Sequence, residues 1–187
     1  MKSIEIEVRN FISSTQFKDL EKKLKKIAKF LKEGRDETIY FGGRAVRFGG
    51  RDLRLRRDNN FSYLILKSGK IHDNFREEIK ISFKRDDFKK LKDLFERLGF
   101  KTTVIWFRKR KVYDWKGIKA FLGDTKGYGK IIELEKIGTE KDKKKIYDDL
   151  KAKLSALGIK KITPKKEFDK KFQYYKNNWR MILKLNT

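Results

Sequence analysis

The sequence predicts an α+β domain whose antiparallel sheet is large enough to close into a barrel, flanked by amphipathic helices. Three observations carry that prediction. About eight segments alternate at period two or read as short strands, against three or four with helical spacing. A short turn at Asp58–Asn59–Asn60 sets two of the strands side by side. The strands also put charge on one face and apolar residues on the other, so helices can cover one face while a ligand meets the other.

Residues 3–11 open the chain as a strand, with Ile4, Ile6 and Val8 on one face and Glu5, Glu7 and Arg9 on the other. Ser13–Ser14–Thr15 supply a helix cap, and Phe17, Leu20, Leu24, Ile27 and Leu31 predict a helix running to Gly34. Asp36 to Phe41 reads as a short strand, and the glycine-rich FGGRAVRFGG as a connecting loop. Strands are then expected at 53–57, 61–67 and 75–83. Asp86 is expected to cap a second helix bearing Phe88, Leu91, Leu94, Phe95 and Leu98, ended by Gly99. A strand over 102–113, a short segment over 115–123 and a strand holding Glu133 and Glu135 follow. A third helix spans about 140–157, with Ile146, Leu150, Leu154 and Leu157 on one side. Pro164 starts a last aromatic helix. Its Phe172, Tyr174, Tyr175 and Trp179 are expected to close the core rather than to stack on a base or mediate a dimer. With no linker in view, residues 1–187 are read as a single domain, with segment 160–187 packed on the barrel.

Composition removes several chemistries. There is no cysteine and only His72 as a histidine, so disulfides and thiolate sites are excluded and nitrogen-ligated zinc is strongly disfavoured. Any metal must then be held by carboxylates, and His72 is given no role. No apolar run approaches the ~20 residues of a membrane span. The N-terminal MKSIEIEV carries charge where a signal peptide needs an apolar core, so a cytoplasmic location is expected. The net charge of +25 invites a polyanionic partner. Lysines crowd the helical segments, where a solvated surface explains them; most arginines lie in strands, where their planar forks suit phosphate.

Collected at period two, the charged strand faces hold Glu5, Glu7 and Arg9, then Arg54 and Arg56, then Lys67. Arg76, Glu78 and Lys80 follow, then Arg108 and Arg110, and finally Glu133 and Glu135. An ordinary wet sheet face would mix small polar residues and pair opposite charges across strands. Here arginine pairs and glutamate pairs occupy separate strands, which is costly unless each cluster has its own ligand. Carboxylates without nitrogen or sulfur partners suit Mg²⁺ or Mn²⁺, and converging arginines suit phosphate. Together they describe a site for a metal–polyphosphate complex.

At this point the chain resembles the CYTH superfamily, the triphosphate tunnel metalloenzymes. Glu5-Ile-Glu7-Val-Arg9 is similar to the Glu-x-Glu-x-Lys strand that opens that family. Asp124-Thr-Lys-Gly127-Tyr-Gly129-Lys-Ile-Ile-Glu133-Leu-Glu135 is similar to its closing motif, and the intervening basic strands fall in the family's order. The resemblance implies an eight-stranded antiparallel tunnel that binds a triphosphate with one or two divalent cations. Carried over by position, Glu5, Glu7, Glu133 and Glu135 would hold Mg²⁺ or Mn²⁺, and Glu78 and Asp124 would serve in catalysis. Arg9, Arg54, Arg56, Lys67, Arg76, Arg108 and Arg110 would bind the triphosphate. Arg9 stands where the family has lysine, and Lys80 where many members have a second glutamate.

The expected activity is hydrolysis of a nucleoside, inorganic or organic triphosphate, with Glu78 or Asp124 orienting the attacking water. The alternative is a class IV adenylate cyclase, converting ATP to cyclic AMP and pyrophosphate with the same clamp. A non-catalytic binder of polyphosphate or of RNA 5′ ends, helped by the lysine-rich surface, is a third reading. The acidic set argues against it, because a pure anion binder gains nothing from carboxylates facing its ligand. Either a monomer or a homodimer is compatible with these features.

Overall fold

The structure, a computed structural model, describes residues 3–43 and 51–184. Strand β1 (Ile4–Ile12) leads to helix α1 (Ser14–Ile27), which begins in a capping box. The Gln16 amide donates to Ser13 Oγ at 3.1 Å, while the Ser13 amide donates to Gln16 Oε1 at 2.9 Å. The helix stops at Ile27, short of the expected Gly34, and the chain turns straight into β2 (Lys29–Gly42). Two facts explain the difference. Beyond Leu24 the helical stripe finds little core, Ile27 at its last position being 44% exposed. The same backbone instead pairs with β7 (Lys101–Trp115) from Lys29↔Asp114 to Gly42↔Lys101. The expected strand over 36–41 is therefore the inner part of a 14-residue one. Residues 44–50, most of the glycine-rich loop, lie outside those described.

Strands β3 (Asp52–Arg57) and β4 (Phe61–Lys67) form the expected pair, and Asp58 Oδ1 accepts from the Asn60 and Phe61 amides at 3.0 Å each. After β5 (Phe75–Arg76) and β6 (Glu78–Lys84), a 3₁₀ turn over Arg85–Asp87, rather than an Asp86 cap, leads into α2 (Phe88–Arg97). Strands β7 and β8 (Ile118–Thr125) meet at Lys116–Gly117, both with positive φ (53° and 81°), as a tight hairpin requires. Then come β9 (Gly129–Gly138), α3 (Lys143–Ala156) and α4 (Lys165–Lys184). Among the described residues no helix is long and apolar enough to cross a membrane.

The sheet order is β5-β1-β9-β8-β7-β2-β3-β4-β6, antiparallel throughout. Only Glu77 separates β5 from β6, and its carbonyl accepts from the Ser68 amide at 3.0 Å. One end of this run pairs with β1 (Glu5↔Arg76) and the other with β4 (Lys67↔Glu78). Nine segments, less one for the split run, give eight strands in a ring. The strand expected over 75–83 is what closes it.

The outer face of the ring packs on helices. Ile6, Val8, Leu122, Ile132 and Leu134 meet Leu20 and Leu24 of α1 and Leu150 and Leu154 of α3; α2 covers Ile39 and Leu55 with Phe88. Helix α4 does something different. Its Phe172, Tyr175 and Trp179 pack on Tyr40, Val104 and Trp106, stoppering one end of the barrel interior, while Tyr174 stays exposed. The turn between β8 and β9 is fitted to that stopper. Gly127 has φ 73°, and a Cβ there would collide with Ile182 of α4. Gly127→Ala is expected to cost about 1–3 kcal/mol, read as a lower midpoint in urea. An unchanged midpoint would mean that α4 docks loosely.

Candidate active site inside the barrel

Alternation sends every second side chain of the ring inward, into a cavity of about 380 Å³. All the site residues expected from the sequence line it except Asp124. On β8 the residues Ile118, Ala120, Leu122 and Asp124 share the outward face. Asp124 is accordingly half-exposed and paired with Lys130 at 2.9 Å. Asp124 is not brought to the site.

Two walls result. On one, Glu5, Glu7 and Glu135 place carboxylate oxygens within 4.8 Å of one another. Register causes this: Glu7 lies directly opposite Glu135, and Glu5 is two residues along β1. Oxygen-only donors at this separation fit a hard divalent cation. Glu133 departs from its expected place in this group, because it lies opposite Arg9 in the same register. Burial would raise the Glu133 carboxyl, but Arg9 and Arg108 outweigh it and hold it below its ordinary value.

Cations stand between the carboxylates. Lys67 Nζ donates to Glu5 Oε1 at 2.6 Å and lies 3.0 Å from Glu78. Glu7 pairs with Arg9 and, at 3.4 Å, with Arg76. Glu78 is held low in the same way, burial being outweighed by Lys67. For Glu135 the pull of Lys67 is outweighed. Burial and its neighbours Glu5 and Glu133 push it up to about 8.

The opposite wall is arginine. Arg54 donates to Asp52 at 2.8 Å and lies over the Tyr40 ring at 4.6 Å. Arg76 donates to the same Asp52 at 3.0 Å. Arg108 and Arg110 share Asp36, at 3.3 and 3.4 Å. Arg56 lies over Tyr63 at 5.2 Å, and its buried Nε has no hydrogen-bond partner. Buried Nε atoms without partners recur on Arg9, Arg76 and Arg108. Such donors are costly to leave unmet. Lys80 adds another cation, 4.7 Å from the Tyr63 ring.

Sequence reading missed several residues of the site and its surround. Asp36 and Asp52 are the buried counter-charges of the arginine wall, each in step at period two with a lining residue, Tyr40 and Arg54 respectively. Counting in twos from those positions would have found both. Tyr40, Trp106, Lys119, Phe121 and Tyr128 also line the cavity, as does His72. A loop residue such as His72 has no periodicity to betray it.

The raised Glu135 carboxyl would make the binding of any cation by this group pH-dependent. A cation displaces its proton, so affinity for Mn²⁺ is expected to rise with pH up to about 8 and then level off. Titration calorimetry at several pH values checks this, and a flat profile would exclude Glu135 as a ligand. Stability runs the other way. The folded value lies above the ordinary 4.5, so the metal-free protein keeps this contribution below pH 4.5 and loses it as pH rises through about 8.

Residues 3–168 match the CYTH domain family. A Methanocaldococcus jannaschii protein whose name proposes an adenylate cyclase is 32% identical over 162 residues, covering 84% of this chain and 91% of its own. The solved PH1819 protein of Pyrococcus horikoshii has a TM-score of 0.73 at 27% identity, covering 85% of this chain and 93% of that one. A Hippeastrum protein described as having a dominant triphosphatase activity shares the fold, with a TM-score of 0.62 at 21% identity, over 84% of this chain and 88% of that one.

Proposed function

Because the chain belongs to the CYTH domain family, we propose that it is a divalent-metal-dependent enzyme that hydrolyses a triphosphate held in the barrel cavity. One observation carries this: the carboxylates of Glu5, Glu7 and Glu135 converge in the same cavity as a wall of buried arginines with unmet donors. Glu5, Glu7 and Glu135 would hold Mg²⁺ or Mn²⁺, with Glu133 beside them. The bound ion supplies positive charge to the phosphate oxygens. Arg54, Arg56, Arg76, Arg108 and Arg110, with Arg9 and Lys67, bind the remaining oxygens and stabilise charge as the terminal phosphoryl group transfers. Glu78, held ionised by Lys67, orients the attacking water and accepts its proton.

A second reading, cyclisation of ATP to cyclic AMP and pyrophosphate, is favoured by the name of the 32% identical Methanocaldococcus relative. It would use the same clamp with the ribose 3′-hydroxyl as nucleophile. Incubating ATP and tripolyphosphate separately with Mg²⁺ or Mn²⁺ and resolving the products separates the two. Orthophosphate from both substrates is expected. Cyclic AMP as the main product would reverse the order, and no turnover of either would remove both.

A further inference from the structure

His72 is the single histidine of the chain and is buried where it lines the cavity. Its backbone is left-handed, φ 67°, a conformation that costs a non-glycine residue energy and clusters at functional sites. The strain is held from two sides. The Lys70 amide donates to Asp73 Oδ2 at 2.7 Å, and the Asp73 amide donates to the Lys70 carbonyl at 3.1 Å, bracing the turn. The ring sits against Phe168 and edge-on to Phe172 of α4, with Nδ1 2.8 Å from Asp169 Oδ1. Asp169 also accepts from Lys165 at 2.6 Å. A carboxylate can only accept, so Nδ1 carries the hydrogen, and the neutral ring keeps its lone pair on Nε2.

That tautomer conflicts with an anionic ligand. A lone pair facing phosphate oxygens is repelled, and the conflict ends when Nε2 gains a proton and becomes a charged donor. We propose that His72 is a triphosphate-binding residue that takes up a proton as the ligand enters, turning Nε2 into a hydrogen-bond donor to a phosphate oxygen. This rests on the cavity being a triphosphate site. The charged groups that act on the ring are Arg9 from β1, Arg54 from β3, and Asp169 from α4; Lys165 of α4 pairs with Asp169 and lies 3.8 Å from Asp73 of the His72 turn. Burial and the charge of Arg9 hold the free imidazole at about 4, so the ligand-free ring is neutral at pH 7. A polyanion would offset Arg9 and Arg54 and reverse the shift.

Because the chain has one histidine, carbon-13 labelling of the imidazole gives a single ring signal to follow. Metal-free protein is titrated with tripolyphosphate, and binding heats are measured at pH 5–7, about the range of imidazole titration, in two buffers of different ionisation enthalpy. The ring signal is expected to move to the protonated form, its titration midpoint rising from about 4 to at least the ordinary imidazole value of about 6.5, a gain of more than about 100-fold in proton affinity. The calorimetric proton uptake should fall in His72→Gln and in His72→Asn, whichever folds better. Tripolyphosphate that binds while the signal and its midpoint stay put overturns the inference, as does unchanged uptake in both variants. A protein that binds no tripolyphosphate overturns the site assignment itself and the inference with it.

Discussion

Glu7→Gln is expected to lower triphosphate turnover by about 10²–10³-fold at fixed Mn²⁺, and to destabilise the metal-free protein as well. Two consequences follow from its position. The side chain is nearly inaccessible and lies opposite Glu135, so its removal takes one of three converging carboxylates from the proposed metal group. It also leaves Arg9 and Arg76 facing each other without the anion between them. Breaking a buried pair by removing one partner typically costs about 3–5 kcal/mol, because the stranded charge stays desolvated. The measurements are a Mn²⁺ titration of initial rate and a thermal melt without metal. Full activity at the wild-type Mn²⁺ midpoint would exclude Glu7 as a ligand.

Glu7 was legible because alternation is a local rule. Once β1 is a strand, Glu5, Glu7 and Arg9 must share a face, and Ile4, Ile6 and Val8 must share the other. The same rule, applied strand by strand, reached every inward charge that was expected and is present. It failed where the strand itself was misread. Lys29 to Gly34 looked helical because Ile27 and Leu31 fit a spacing of four, yet the partner that decides the matter, β7, lies about 70 residues later in the chain. Asp36 was lost for another reason: its short strand was placed correctly, but its charge was not counted on the Tyr40 face. Asp124 failed differently. Its motif groups it with Glu133 and Glu135, but the turn through Gly127 and Gly129 separates it from their strand, and its face is set by Leu122. His72 was out of reach altogether, since its place depends on α4 docking nearly 100 residues downstream.

Arg56 shows what the cavity costs in the absence of its ligand. Arg56→Met is expected to lower turnover by about 10²-fold while raising the melting temperature of ligand-free protein. The opposite signs have one cause. Arg56 has no carboxylate within ion-pair distance among the described residues; it lies over Tyr63, with its buried Nε unmet. Its charge repels two cations, Arg110, which burial and Arg108 also help hold at about 10, and Lys80, lowered by burial and then by Arg56; against that, it helps Arg108 and Arg110 hold the buried Asp36 carboxyl low. Methionine keeps much of the aliphatic volume and removes the repulsion, and each kcal/mol relieved is worth about 2–4 °C in a domain of this size. The same repulsion is what a triphosphate would relieve in the wild type, so tripolyphosphate should raise the wild-type melting temperature by more than the variant's. Arg56→Lys tests the geometry apart from the charge. It keeps the repulsion but loses the planar fork, so it should melt like the wild type and turn over like Arg56→Met. If Arg56→Lys is fully active, the site needs only a point charge at this position. If Arg56→Met is less stable than the wild type, Arg56 is packed as a structural residue, and the unmet donor is not waiting for phosphate.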